Sequence, residues 1–236
     1  MRYFDIFVSP KEEKLWEVVE AAEELGFSGI CFAPKFSGLE DLERSRKLAS
    51  EVASDFSAEI FTGTVVTAKD ARELGRTVRK VRKRVEVVLV LGGDYRINRA
   101  ACTHRMVDVL LGPNSGPDPC MDLFCAKSAV RTGTAVAFEF RSVLKSYGTG
   151  RSDVLRAMRI LASLSRETGF EVVTCSGART RWELRDPRAL VSLALVSGLD
   201  EKKAKASISS VPAGIVERNR KRLSKSRVWN GVEVVE

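Results

Sequence analysis

Short apolar runs and amphipathic segments alternate along almost the whole chain. The runs are apolar at nearly every position, and the plainest is the VVLVL of residues 87–91. Strands that other elements cover on both faces have this continuous apolar character. The pattern predicts seven strands, over Tyr3–Val8, Gly29–Ala33, Ala58–Val66, Val85–Leu91, Val107–Leu111, Thr134–Phe140 and Phe170–Cys175.

The segments between these runs repeat with the period of a helix. In the third segment Leu74, Val78 and Val81 form an apolar stripe. A strand followed by a helix recurs roughly every 25 to 30 residues, which is the spacing of βα units around a parallel sheet. The third helix also carries a second, basic stripe at helical spacing, made of Arg72, Arg76, Arg79 and Lys83.

Seven strand–helix units without a break in composition predict an α/β fold of the TIM-barrel type. The chain has no clear eighth strand, and Val232–Val235 is only a weak candidate. The barrel is therefore expected to be distorted or incompletely closed. We expect residues 1–216 to form this single domain and residues 217–236 to form a basic C-terminal helix or tail.

Three segments carry signals for the start of a helix. The segments 9–12 and 37–40 each place a serine three residues before a glutamate, which is the pattern of a capping box. Asp186-Pro187 predicts a helix with aspartate as its N-cap and proline in the first helical position, where the missing N–H costs nothing.

The composition sets limits on the class of protein. A chain of 236 residues with 44% hydrophobic residues can bury the core of one barrel-sized domain or of two small ones. No apolar run approaches the roughly 18 residues of a membrane span, and Ser9-Pro10 interrupts the opening run too soon for a signal peptide. A cytoplasmic location is the default expectation. Five cysteines without a CxxC pair argue against a disulfide framework.

The charge is the most unusual property of the sequence. A net charge of +8 and a pI near 9.4 favour a polyanionic partner. Aromatic residues make up only 7% of the chain and form no RNA-recognition fingerprint, so we expect any nucleic acid to be read by shape and backbone. The candidate RNA-binding residues are Lys35, Arg99, His104, Arg105, Arg141, Arg179 and Arg181.

Residues suited to catalysis or metal binding are scarce. The chain has a single histidine, whereas a hydrolytic metal centre needs several His, Asp or Glu ligands that converge on one point. We predict no catalytic residue, no metal site and no bound cofactor. The Gly92-Gly93-Asp94 turn offers a weak phosphate site. Four acidic residues within strands are expected to form structural ion pairs, with Arg141 or Lys35 as partners: Asp5, Glu59, Asp108 and Glu139.

Six segments carry a recognisable pattern: Asn98-Arg99-Ala100, Val107–Leu110, Phe138–Arg141, Ser176-Gly177-Ala178, Trp182–Arg188 and Ala204–Ser209. They resemble one known family, the protein component 3 of archaeal ribonuclease P. The resemblance follows the order of elements over nearly the whole chain and is specific from about Asn98 onward. One departure is Leu123, which stands where the family commonly has a histidine.

The resemblance implies a TIM-barrel-like subunit of the ribonucleoprotein that removes 5′ leaders from precursor tRNA. The RNA subunit would carry catalysis with magnesium, and this chain would pair with protein component 2 and support the RNA. The family's basic contact surface maps to Arg99, Arg141, Lys35 and Arg179. Two alternatives remain open from the residues: a stand-alone barrel enzyme that binds a phosphorylated small molecule with strand-end arginines, and a scaffold that binds only proteins.

Overall fold

The seven predicted strands form one parallel sheet whose strand order follows the chain. The computed structural model describes residues 1–114, 116–224, 227–229 and 232–233, with side chains described in the first two ranges. All seven predicted strands are confirmed, with slightly shorter bounds. They are β1 Phe4–Val8, β2 Gly29–Phe32, β3 Glu59–Val66, β4 Val87–Leu91, β5 Val109–Leu111, β6 Ala135–Glu139 and β7 Val172–Cys175.

Helices connect successive strands and cover the outside of the sheet. Their bounds are α1 Leu15–Glu24, α2 Leu39–Ala53, α3 Ala71–Val81, α4 Tyr95–Thr103, α5 Leu123–Thr132, α6 Phe140–Leu144, α7 Gly148–Thr168, α8 Pro187–Val196, α9 Glu201–Ala206 and α10 Ser210–Leu223. Two short 3-10 helices lie at Glu12–Lys14 and Arg181–Glu183.

The alternation of side chains along each strand builds two hydrophobic layers. In β4, Val87 and Leu89 belong to the cluster that fills the barrel interior. Val88 and Val90 belong to the cluster between the strands and the helices, which includes Leu74 of α3. Because both faces of β4 are buried, neither face favours polar side chains, and this explains the continuous apolar run of residues 87–91.

The barrel has a seam between β1 and β7, which form no ladder with each other. Near the end of β1 the two edges meet directly. Val8 and Ala178 form an isolated parallel bridge, and the Gly177 N–H donates to the Phe7 carbonyl at 3.1 Å. These bonds satisfy buried backbone groups that would otherwise lack partners.

At the start of β1 the loop between α9 and α10 fills the seam. The Phe4 N–H donates to the Ile208 carbonyl at 2.8 Å, and the Thr174 N–H of β7 donates to the Ser207 carbonyl at 3.1 Å. The hydroxyls of Thr174 and Ser207 also lie 2.8 Å apart within hydrogen-bond distance. Ser207 and Ile208 of this loop thus take the hydrogen-bonding place of an eighth strand, which explains how seven strands close the barrel.

A buried carboxyl completes the seam. Asp5 accepts hydrogen bonds from the backbone N–H of Ser176 at 3.1 Å and of Phe7 at 3.3 Å. Burial raises the pKa of Asp5 to about 6, although these hydrogen bonds lower it, and the nearby charge of Glu139 adds to the rise. The expected ion pair with a cation is not present at this position; the backbone is the partner of Asp5.

The last described helix, α10, closes the end of the barrel where the strands begin. Its Ile215 and Val216 join the interior cluster. Arg220 bonds Glu86 at 2.6 Å and Glu59 at 2.8 Å, both at strand starts. The division expected after residue 216 lies within this helix, and it stays a prediction.

A small antiparallel pair follows α10. Strand β8, Arg227–Trp229, pairs with β9, Val232–Glu233, and neither pairs with a barrel strand. The described part of the candidate eighth strand is therefore not a barrel strand, and residues 234–235 lie outside the described residues.

The helix-start predictions have mixed outcomes. The cap of α8 is confirmed, because the Asp186 carboxylate accepts from the Arg188 N–H at 2.9 Å and Pro187 occupies the first turn. Both capping boxes are wrong. The first segment leads into a 3-10 helix capped by Lys11, and Ser37 instead donates to the carboxylate of Asp41. A serine in a capping-box pattern can bond other nearby groups instead of the helix N-terminus, and the pattern alone does not show which partner it takes.

Asp5→Asn should alter how stability depends on pH. The folded pKa near 6 lies above the ordinary value of 3.8, so the folded state holds a proton that the unfolded state has lost. Wild-type stability should therefore fall by up to about 3 kcal/mol as pH rises from 4 to 7 relative to the neutral variant. Urea unfolding at several pH values measures this. Exposed Glu167→Gln is the control, and parallel wild-type and Asp5→Asn curves would refute the assignment.

Candidate RNA-binding surface

Four of the predicted RNA-binding residues follow strands and therefore lie at one end of the barrel. Lys35 follows β2, Arg141 follows β6, and Arg179 and Arg181 follow β7. Segments that follow parallel strands meet at the same barrel end, which we call the rim. The structure thus brings Lys35, Arg141, Arg179 and Arg181 to the rim, as their positions after strands predict.

A buried carboxylate organises part of this rim. Glu183 accepts from Arg141 Nε at 3.0 Å, from Lys145 Nζ at 2.8 Å and from the Arg179 backbone N–H at 3.0 Å. It is only 8% exposed. Burial acts to raise the pKa of Glu183, but the hydrogen bonds from Lys145, Arg179 and Arg141 outweigh it and hold the pKa below its ordinary value. The carboxylate stays ionised and ties α6 to the 3-10 helix Arg181–Glu183.

The rim cations differ in how far they are neutralised. Arg181 bonds Glu20 at 3.3 Å and Glu24 at 3.4 Å, both on α1. Lys35 and Arg179 are exposed and form no salt bridge within the part of the chain that the structure describes. Arg141 and Arg181 are therefore held in fixed positions, whereas Lys35 and Arg179 keep their full charge for an outside partner.

Glu139 packs over Gly177 at the end of β6. Gly177 has a φ of +66°, and a Cβ there would overlap the Glu139 carboxyl, so glycine is required. Burial raises the pKa of Glu139, while the Ser142 hydroxyl, which donates at 3.2 Å, and the charges of Arg141 and Arg179 lower it. This carboxyl has basic neighbours but no direct salt bridge among the described residues.

The other strand-associated carboxylates have partners that the sequence prediction did not name. Asp108 pairs with the buried guanidinium of Arg82 and accepts from the Val88 N–H at 2.8 Å. Glu59 pairs with Arg220. The prediction of ion pairing is confirmed for these two residues, but the predicted partners, Arg141 and Lys35, are wrong. Both carboxylates lie where strands begin, at the end of the barrel opposite the rim.

The other three predicted residues belong to a different surface. Arg99 lies on α4, where it bonds Asp122 at 2.6 Å and covers the ring of Phe124 at 4.9 Å. His104 and Arg105 lie in the turn between α4 and β5, which places them at the end opposite the rim. Burial first, and then the charge of Arg79, lowers the pKa of His104, so the imidazole is neutral at pH 7.

The basic stripe of α3 adjoins α4, because the two helices pack side by side. No member of the stripe forms a salt bridge among the described residues, and Glu73, the acidic residue of α3, accepts from the Lys69 N–H instead. The stripe is recognisable in the sequence by its helical spacing, but its residues are not among the candidate RNA-binding residues predicted there. We define the α3–α4 surface by its exposed cations, Arg72, Arg76, Arg79, Lys83, Arg96 and Arg105.

The glycine turn after β4 is not an anion site. The Gly92 N–H donates to the Leu111 carbonyl at 2.8 Å, and the Gly93 N–H donates to Asn98 Oδ1 at 3.1 Å. Asp94 caps α4 by accepting from the Arg96 N–H at 2.8 Å. The N–H groups that the weak phosphate prediction required are already bonded within the protein, so that prediction is wrong.

The described residues contain no group of three or more His, Cys, Asp or Glu side chains that could hold a metal ion. Among their helices, none combines the length and the apolar character that crossing a membrane requires. All five cysteines are buried, and none forms a disulfide within the described part of the chain.

Solved structures share this fold. A chain in the cryo-EM structure of archaeal ribonuclease P with mature tRNA superposes with a TM-score of 0.85 at 24% identity, over 99% of this chain and 98% of that one. Histidinol phosphate phosphatase from Lactococcus lactis, at 10% identity, superposes with a TM-score of 0.57 over 84% and 95% of the two chains. The fold is a seven-stranded α/β barrel whose first and last strands form no ladder with each other.

The sequence comparisons define the family. The model of the RNase P subunit p30 family matches residues 2–224. Ribonuclease P protein component 3 of Methanothermobacter thermautotrophicus is 32% identical over 219 residues, covering 92% of this chain and 89% of that protein. The protein of the same name in Methanococcoides burtonii is 33% identical over 93% and 87%. The chain belongs to the RNase P subunit p30 family.

Glu183→Gln should destabilise the protein, because it removes a buried charge that accepts from Arg141, Lys145 and the Arg179 N–H. Hydrogen bonds to a charged group contribute about 1.5 to 3 kcal/mol each, so a loss of about 1 to 3 kcal/mol in the free energy of unfolding is expected. Urea unfolding at pH 7 measures it. Glu201→Gln, which removes an exposed pair with Lys205, is the matched control and should change little. Equal effects of the two variants would show that Glu183 does not organise the rim.

Proposed function

We propose that this chain is the protein subunit of ribonuclease P that binds the catalytic RNA and supports its active form. Membership of the RNase P subunit p30 family makes it a subunit of that enzyme complex. The complex would remove 5′ leaders from precursor tRNA, with catalysis and magnesium on the RNA. This chain would supply neither a catalytic residue nor a cofactor.

One observation carries the proposed mode of binding: the α3–α4 surface is dense in cations that no carboxylate neutralises within the described residues. From Arg72 to Arg79 the stripe follows the axis of α3 for roughly 10 Å, at a rise of about 1.5 Å per residue, and Lys83 lies in the turn that follows the helix. Arginine side chains donate two parallel hydrogen bonds to a phosphate. Such a surface suits the backbone of a folded RNA, which presents a series of phosphates.

The remaining candidates would extend this contact. Arg99, His104 and Arg105 adjoin the stripe on α4 and on the turn that follows it. At the rim, Lys35 and Arg179 would bind phosphate directly, and Arg141 and Arg181, held by carboxylates, would present fixed guanidinium groups.

The partners follow from the family. We propose assembly with ribonuclease P RNA, with protein component 2 and with other protein subunits, and contact with precursor tRNA only through the complex. A relative of the same fold occurs in the structure of archaeal ribonuclease P with mature tRNA. A cytoplasmic location stays the expectation from the sequence.

Reconstitution tests the function. Cleavage of precursor tRNA by the RNA subunit, assembled with its other proteins at limiting magnesium, should rise when this chain is added. No gain in cleavage would contradict the proposal. Turnover of a phosphorylated small molecule by the chain without RNA would instead support a stand-alone enzyme, and assembly with component 2 without an RNA footprint would support a scaffold.

A triple variant, Arg72→Gln, Arg76→Gln and Arg79→Gln, tests the α3–α4 surface. Each lost phosphate contact should lower the slope of log affinity against log salt by about 0.7 to 0.9, because fewer counterions are released. Binding of ribonuclease P RNA across a salt series measures the slope. The melting temperature should stay unchanged, since these side chains are exposed and form no salt bridge within the described part of the chain.

The matched control removes the same charge from α2. Arg44, Arg46 and Lys47 each pair with a carboxylate, and their replacement by glutamine also lowers the net charge by three. If this control reduces the salt slope as much as the α3 variant does, binding reflects net charge and the surface assignment fails.

A further inference from the structure

Two aromatic side chains near the rim are almost wholly exposed, which phosphate binding alone does not require. Trp182 is 80% exposed and Tyr147, which precedes α7, is 79% exposed. Large rings gain more than other side chains from contact that removes them from water. Exposure of this extent therefore marks a contact surface.

Each ring carries a guanidinium group on one face. Arg181 Cζ lies 5.5 Å from the centroid of the Trp182 ring, and Arg151 Cζ lies 5.5 Å from that of the Tyr147 ring. With about four fifths of each residue exposed, the other ring face is open to solvent. A cation over one face of a ring leaves the second face available for stacking.

The cations over the rings are held in place by the protein. Arg151 Nε donates to the carbonyl of Ser146 at 2.9 Å and to that of Val143 at 3.2 Å. Arg181 is held by Glu20 and Glu24 on α1. The arginine–aromatic pairs therefore exist before any ligand binds, so binding loses less side-chain entropy.

The two pairs lie on segments that contact each other. Lys145 lies two residues before Tyr147, Glu183 directly follows Trp182, and an ion pair joins Lys145 and Glu183 at 2.8 Å. We call this the Trp182–Tyr147 patch. Its surroundings are basic, with Arg141 and Arg179 at the Glu183 carboxylate.

We propose that the Trp182–Tyr147 patch binds unpaired nucleotides of RNA, with bases stacked on the open ring faces and phosphates beside the arginines. This inference rests on the proposed function, which supplies the RNA. Proteins that bind single-stranded nucleic acid combine aromatic platforms with cations in this way. Arg151 and Arg179, which form no salt bridge among the described residues, favour a phosphate-bearing partner over an apolar protein face. The low aromatic content predicts that shape and backbone are read more than base sequence, and two exposed rings suffice to add stacking.

The test uses the full chain and fluorescently labelled twelve-nucleotide oligoadenylate, with binding followed by anisotropy. Trp182→Ala should weaken binding by about tenfold, since a stacked base contributes substantially to affinity. Trp182→Phe should retain most of the affinity, because it keeps a ring face. A labelled twelve-base-pair RNA duplex should bind the variant and the wild type within about twofold, because its bases are not free to stack.

Tyr95→Ala is the control for loss of an exposed aromatic side chain. Tyr95 is 47% exposed on α4 and carries no stacked guanidinium among the described contacts. The control should bind oligoadenylate like the wild type. Unchanged melting temperatures for both alanine variants would show that the fold is intact.

Four results would overturn the inference: no binding of oligoadenylate by the wild type, equal effects of Trp182→Ala and Tyr95→Ala, an equal loss of duplex binding, or a loss confined to assembly with a partner protein. Failure of the proposed function is seen separately, in reconstituted cleavage with the wild-type chain. Stacking that depends on Trp182 without support of cleavage would leave the patch standing as an RNA site and reject the ribonuclease P role.

Discussion

Closure of the barrel between β1 and β7 is the constraint on which the rest of the structure depends. Seven strands leave two edges whose buried backbone groups need partners. Ser207 and Ile208 satisfy one half of the seam, and Asp5 with the Val8–Ala178 bridge satisfies the other. This way of closing the seam places the Asp5 carboxyl in the interior, where burial raises its pKa. The segment that Asp5 holds, which begins at Ser176, leads directly into the basic residues of the rim, so closure of the seam positions the candidate site.

The positive charge of the chain divides into two populations with different roles. At the barrel end where strands begin, Arg82 and Arg220 neutralise acidic residues and hold α3 and α10 in place. The exposed cations of the α3–α4 surface, which does not include Arg99, have no such partners within the described residues. A net charge of +8 therefore says little about where an anion binds. The distribution of carboxylates decides which cations are available to RNA.

Much of the fold could be predicted because its signals are local. Continuous apolar runs identified every barrel strand, and Asp186-Pro187 identified the start of α8. The contacts between distant segments could not be predicted: Asp5 bonds Ser176 across 171 residues, and no periodicity encodes that pair. His104 and Arg141 are both candidate RNA-binding residues in the sequence, and the topology places them at opposite barrel ends. Exposure of Trp182 follows from a 3-10 helix that sequence patterns do not reveal.

The seam also has a consequence for the order of folding. Strands β1 to β6 can pair with their neighbours as the chain lengthens, since each pairing joins segments close in sequence. Phe4 and Asp5 must wait for Ile208 and Ser176, and Ser176 lies 171 residues after Asp5. Contacts of such long sequence separation slow folding, and an unpaired strand edge invites intermolecular pairing until they form. The nascent protein thus carries an open edge at β1 until Ile208 has been synthesised, and closure of the barrel follows the pairing of the earlier strands.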